Sequence, residues 1–164
     1  MILGVIPARL NSTRFPNKVI FSLNGKTIVE HVYNKAIQSS LIDKLVVAVD
    51  SEKTEKLINC SNIMMTSDKH ESGTDRVAEV ANNYDCDIVV NIQGDEPGID
   101  PKLIDQLISL FNDPDVKMAS VASTDLDKND LKNINVVKVN LDKHNNALSF
   151  VRNNIDPVSY THLR

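Results

Sequence analysis

The chain has 164 residues, of which 41% are hydrophobic and 24% charged, and its net charge is −4. That is the profile of one globular domain with room for a single core. The acidic balance and an aromatic content of only 4% argue against a duplex binder and leave few stacking platforms for single-stranded nucleic acid.

Ile2 to Ile6 reads as a buried strand. It has no basic flank and meets Pro7 too soon for a leader or a membrane span, so the chain is read as cytoplasmic, with no membrane insertion. Residues 7–18 read as a loop with two prolines and three cations. Thr27 to Ser39 has the helical period, with Thr27 as N-cap and Ile28, Val32 and Ala36 on one face. Lys44 to Val49 is a β-branched strand, followed by a helix to about Asn59 that Asp50 or Ser51 can cap. Cys60 and Cys86 form no C-x-x-C pair and read as idle thiols of a reducing compartment.

Asn62 to Met65 is a short strand. Ser72-Gly73-Thr74-Asp75 has the spacing of a capping box ahead of Val77, Ala78, Val80 and Ala81. Ile88 to Ile92 is a strand bounded by Gly94 and Pro97. Pro101 opens a helix with Leu103, Leu107, Ile108 and Phe111 inward. Val116 to Thr124, Val136 to Leu141 and Ala147 to Arg152 read as further strands. Strands alternating with helices predict an α/β fold, a mostly parallel twisted sheet with flanking helices. Ligands of such sheets collect beyond the carboxyl ends of the strands. Two polar loops fall there, residues 7–18 and 93–97.

The first loop carries Arg9, Ser12, Thr13, Arg14 and Lys18. Arginine offers a planar fork that fits phosphate oxygens, and lysine a mobile point charge. Fixed cations stabilise the charge that builds on a departing pyrophosphate. The same spacing also suits a solvated basic loop. No Walker sequence and no G-x-G-x-x-G are present, which disfavours a P-loop kinase and a dinucleotide-binding dehydrogenase.

The second loop, Gln93-Gly94-Asp95-Glu96-Pro97, ends a buried strand in two acids. Asp95 at the strand tip could hold Mg²⁺ together with phosphate oxygens. It could equally be a turn residue capping the helix at Pro101. Ser72 and Asp75 suit a helix cap as well as they suit a ligand contact. His70 has no partner at metal-ligand spacing and reads as a surface histidine.

Taken together, these loops resemble the signatures of the 3-deoxy-manno-octulosonate (Kdo) cytidylyltransferases. The likeness runs through Ile6-Pro7-Ala8-Arg9, Ser12-Thr13-Arg14-Phe15-Pro16-Asn17-Lys18, Asn24-Gly25-Lys26, His70 to Glu79, Gln93 to Pro97 and Asn135 to Val139. It covers about residues 1–157 with the motifs in register. The resemblance implies a nucleotide-diphosphosugar-transferase fold (a Rossmann-like GT-A domain), a homodimer, Mg²⁺ dependence and the transfer of CMP from CTP to Kdo for lipopolysaccharide synthesis. Carried over by position, Arg14, Lys18 and Asp95 would be catalytic, with Asp95 the metal ligand. Pro7, Ala8, Arg9, Ser12, Arg14, Lys18, Arg76, Gln93 and Gly94 would bind substrate.

The likeness implies a longer enzyme, with a second metal-binding aspartate and much of the sugar pocket beyond residue 157. The tail at 158–164 departs from the family and reads as foreign sequence. The expectation is an inactive, aggregation-prone fragment of that enzyme. A cytidylyltransferase for another sugar acid, an acylneuraminate or an eight-carbon amino analogue of Kdo, is the neighbouring reading. A nucleotide-binding module without catalysis is a second.

Overall fold

The computed structural model describes residues 1–10, 17–125 and 127–152. These fall into two compact units, one ending at Ala119 and the other starting at Ser120.

The first unit is built on four parallel strands, β1 (Ile2–Ala8), β4 (Lys44–Val49), β5 (Ile63–Met65) and β6 (Ile88–Asn91), in the order β5-β4-β1-β6. The chain moves outward on one side, from β1 to β4 to β5, then returns to lay β6 on the other side of β1. The strand order therefore reverses between β1 and β6, and ligands of open parallel sheets gather at such a switch point. Pairing sets the register: Ala8 lies opposite Val49, and Val5 opposite Asn91.

Alternation along β1 splits the core. Leu3 and Val5 pack with Val46, Ala48, Val77 and Val80, on the face covered by α3 (Gly73–Ala81). Ile6 and Ala8 pack with Leu45, Val47, Val49, Val32, Ile104 and Ile108, on the face covered by α1 (Ile28–Ala36) and α4 (Pro101–Ser109). Truncating a buried side chain such as Ile6 to alanine costs about 2–5 kcal/mol in sites of this kind.

Each helix starts on the cap its sequence offers. Thr27 and Ser72 form complete capping boxes with Glu30 and Asp75. Ser51 accepts from the Thr54 amide at the start of α2 (Glu52–Leu57), so Ser51 is the cap and Asp50 is left for other work. Asp100 caps α4 by accepting from the Lys102 amide. The buried face of α4 centres on Ile104 and Ile108, while Leu103, Leu107 and Phe111 are only half-buried.

Three departures from the sequence reading have physical causes. Residues 116–124 form no strand, because they find no hydrogen-bonded neighbour strand among the described residues. Met118 is 87% exposed there, so β-propensity alone does not order the segment. A small hairpin, β2 (Ser22–Leu23) and β3 (Lys26–Thr27), lies between residues read only as a motif. Asn24 (φ 50°) and Gly25 (φ 80°) supply its two left-handed turn positions, the Asn-Gly hairpin chemistry. The late strands do not join the parallel sheet.

Those late strands belong to the second unit. There α5 (Lys128–Lys132), capped by Asp127, precedes an antiparallel hairpin of β7 (Lys138–Leu141) and β8 (Ala147–Val151). Asp142 closes the turn by accepting from the His144 and Asn146 amides. The Lys138 ammonium is buried and donates to the carbonyls of Asn133 and Arg152. Among the described residues no helix is long and apolar enough to cross a membrane.

Candidate functional site

The carboxyl ends of β1 and β6 open into a cleft of about 180 Å³ lined by Pro7, Arg9, Lys18, Val19, Gly73, Gln93, Gly94 and Asp95. Pro7 is the next-to-last residue of β1, and Arg9 follows the strand. Lys18 starts a 3₁₀ turn (Lys18–Ile20) whose Val19 is buried in the core. Gln93, Gly94 and Asp95 follow β6, and Gly73 opens α3.

Two contacts fix the cationic side of the cleft. The Arg9 guanidinium donates to the Glu71 carbonyl at 3.0 Å. The Lys18 Nζ donates to Asp95 Oδ2 at 2.7 Å. This ion pair is 38% and 44% exposed at its two side chains. Pairs this wet contribute at most about 1 kcal/mol to stability. Neither partner is held there by a strong bond, so phosphate oxygens can draw Lys18 away and a cation can take Asp95.

Gly94 makes the geometry reachable. A Cβ at this position would stand 2.6 Å from the Pro7 carbonyl oxygen. Only a glycine lets the turn after β6 close on the end of β1, and that closure brings Asp95 to Lys18.

Of the residues singled out from the sequence, Pro7, Arg9, Lys18, Gln93, Gly94 and Asp95 come together in the cleft, and Ala8 is buried in the core beside it. Ser12 and Arg14 lie outside the described residues. Arg76 does not line the cleft. Its side chain is 1% exposed and donates to the Thr66 hydroxyl, while its Nε finds no partner among the described residues. Burial pulls its pKa below the ordinary value, opposed by the carboxylates of Asp50, Glu79 and Asp68. It lies within the Val77–Val80 side of the fold because α3 turns that face onto β1.

The local alternatives also separate. Ser72 and Asp75 are a helix cap, and their mutual hydrogen bonds hold the Asp75 carboxyl below its usual range. Asp95 does not cap α4; Asp100 does. His70 is engaged rather than free, bonded through Nε2 to Glu79. Glu79 in turn accepts from the Ser67 amide, and these bonds lower its pKa. Gly73 and Val19 were not singled out as cleft residues; the signal for Gly73 was its place inside Ser72-Gly73-Thr74, which points its backbone at Pro7.

A cytidylyltransferase family model matches residues 3–163. The chain belongs to the cytidylyltransferase family. Within it, 3-deoxy-manno-octulosonate cytidylyltransferase of Pelobacter propionicus is 44% identical over 154 residues, 92% of this chain and 60% of that protein. The enzyme of the same name from Leptospira interrogans is 44% identical over 155 residues, 92% of this chain and 63% of its own. The chain thus spans about 60% of the length of these curated relatives. A solved CMP:2-keto-3-deoxy-manno-octonic acid synthetase complexed with CTP superposes with a TM-score of 0.82 at 34% identity, covering 94% of this chain and 65% of that one. A cytidylyltransferase structure from Leptospira borgpetersenii matches at 0.59 and 27% identity over 68% of this chain and 48% of that one. The fold of this cytidylyltransferase chain is accordingly the nucleotidyltransferase α/β fold.

Proposed function

We propose that this chain carries the triphosphate site of an enzyme that transfers CMP from CTP to Kdo, releasing pyrophosphate, in lipopolysaccharide synthesis. The observation that carries the reading is the convergence of Arg9, Lys18 and Asp95 on one cleft at the β1/β6 switch point. The relatives' names supply the substrate: those proteins are called Kdo cytidylyltransferases.

The chemistry is an in-line displacement. The 2-hydroxyl oxygen of Kdo forms a bond to the α-phosphorus of CTP, the bond to the pyrophosphate oxygen breaks, and the hydroxyl proton passes to solvent. Arg9 and Lys18, with Arg14 from the sequence motif, neutralise the triphosphate and the leaving pyrophosphate, and Ser12 of the same motif adds a neutral hydrogen-bond donor. Arg9 and Lys18 already line the cleft, and Lys18 has only a solvated ion pair to give up, so they favour the transition state at modest reorganisation cost. Gln93 faces the nucleotide or the sugar from the β6 turn.

Asp95 suits a hard divalent cation shared with phosphate: it is one half-exposed carboxylate in a polar cleft, which is what Mg²⁺ asks of a protein. Among the described residues no group of three His, Cys, Asp or Glu side chains could hold a metal by itself. When bound, Mg²⁺ would screen the phosphates and polarise the attacked phosphorus. A cytoplasmic homodimer of full length is the form in which we expect the activity.

The test is pyrophosphate release from CTP and Mg²⁺ by the protein encoded at the source locus, with Kdo, its eight-carbon amino analogue and an acylneuraminate offered separately. Release with Kdo is the expected result. Release with another sugar acid only would keep the chemistry and replace the substrate. Magnesium-dependent CTP binding without turnover on any of them would leave a nucleotide-binding module and refute the enzyme.

A further inference from the structure

Asp50 sits just past the end of β4, beside the cleft but outside its lining. Its Oδ2 accepts from the Leu10 amide at 3.1 Å. Its Oδ1 accepts from the hydroxyl of Thr54, a fully buried residue in the first turn of α2, at 3.0 Å, and from the Ser51 hydroxyl at 3.4 Å. Leu10 in turn accepts from the Asn17 amide at 3.0 Å. Asn17 is in the left-handed region (φ 61°) and delivers the chain directly into Lys18. A continuous path therefore runs Thr54–Asp50–Leu10–Asn17–Lys18–Asp95, from the second βα unit to the cleft.

Asp50 also favours the charge of the buried Arg76 guanidinium, but that attraction does not account for its bonds to Leu10 and Thr54. Asp50 does not cap α2, since Ser51 does. It makes no ion pair among the described residues closer than 4.0 Å. A carboxylate placed to accept a backbone N–H from the neighbouring strand's extension acts as a clamp on that extension. The clamp falls where the first polar loop leaves β1, and the Leu10–Asn17 bond pinches the same loop at its return.

We propose that Asp50 is a positioning residue for triphosphate binding: through Leu10 and Asn17 it sets where Arg9 and Lys18 stand. The inference rests on the proposed CTP site. It predicts an effect that follows the β- and γ-phosphates rather than the cytidine. Charge-assisted hydrogen bonds of this kind are strong enough to matter at tenfold scale.

The experiment is calorimetric titration of the full-length protein with CTP and with CMP, in Mg²⁺, for wild type, Asp50→Ala and Asp50→Asn. Wild type should bind CTP more tightly than CMP. In Asp50→Ala, CTP binding should fall roughly tenfold or more while CMP binding changes less than about twofold. Asp50→Asn keeps one oxygen acceptor and should lie between. Thr54→Val, which removes a bond to Asp50 but leaves the Leu10 contact, should reproduce the intermediate loss and serves if Asp50→Ala does not fold. Equal losses for CTP and CMP would make Asp50 a merely structural residue and overturn the proposal. Unchanged CTP binding in Asp50→Asn and Thr54→Val would do the same. A wild-type protein that binds no CTP would instead sink the CTP site itself, and this inference with it.

Discussion

Replacing Gly94 by alanine tests how the cleft is closed. The added Cβ would lie 2.6 Å from the Pro7 carbonyl oxygen and 3.4 Å from Ile6 Cγ2. A short carbon–oxygen contact needs about 3.3 Å, so the turn after β6 and the end of β1 must part by roughly 0.7 Å. The obstacle is backbone in a paired strand, not a flexible side chain that can swing aside. Overpacking of this kind costs about 1–3 kcal/mol, or on the order of 2–12 °C in Tm for a chain this size. Because Asp95 is the next residue, the same displacement separates it from Lys18, and a shift approaching 1 Å can cost about 10²-fold in kcat/KM. Thermal unfolding by circular dichroism reads the first effect, and pyrophosphate release reads the second. Gly98→Ala is the control, since nothing lies within 4 Å of its would-be Cβ. A Gly94→Ala protein with the melting point and activity of Gly98→Ala would refute the close-approach argument.

Ser72→Ala removes the acceptor for the Asp75 amide and should cost about 1 kcal/mol in urea unfolding, with Ser72→Thr restoring most of it. Asp105 accepts from the hydroxyls of Ser39 and Ser40 and the amides of Ser40 and Leu41, and the Ser39 bond most of all holds its carboxyl below the ordinary range. A depressed folded pKa means that this stabilisation is present above the unfolded pKa and is lost as pH falls through the folded one. Urea midpoints should therefore drop more steeply below about pH 4 in wild type than in Asp105→Asn; parallel acid limbs would contradict the assignment. Burial, with Glu30 nearby, pushes the Cys60 thiol up to about 12. Iodoacetamide at pH 8 should leave Cys60 unlabelled in the native protein and label it in urea, as peptide mass spectrometry would read.

The parallel sheet was legible because its strands are apolar on both faces and separated by helices with matched caps. Thr27, Ser51, Ser72 and Pro101 each mark the start of a helix that forms. The cleft was legible because two polar loops follow β1 and β6, which pair side by side. What could not be read was tertiary. Residues 116–124 carry strand composition, but a strand exists only where a partner offers a ladder. Arg76 reads as a substrate-site residue by its place in the motif, yet its position on α3 puts it against the buried side of the sheet. The role of Asp50 depends on a contact with Leu10 forty positions away, and no local pattern announces it.

On the proposed function, Lys18 and Asp95 do chemistry rather than hold the fold. The most direct measurement is pyrophosphate release from CTP and Kdo by wild-type, Lys18→Ala and Asp95→Ala full-length protein, with Tm recorded on the same samples. Their exposed ion pair is worth at most about 1 kcal/mol, so Tm should shift little while kcat falls by about 10²-fold or more. Variants that melt normally and release pyrophosphate at the wild-type rate would contradict the proposed function.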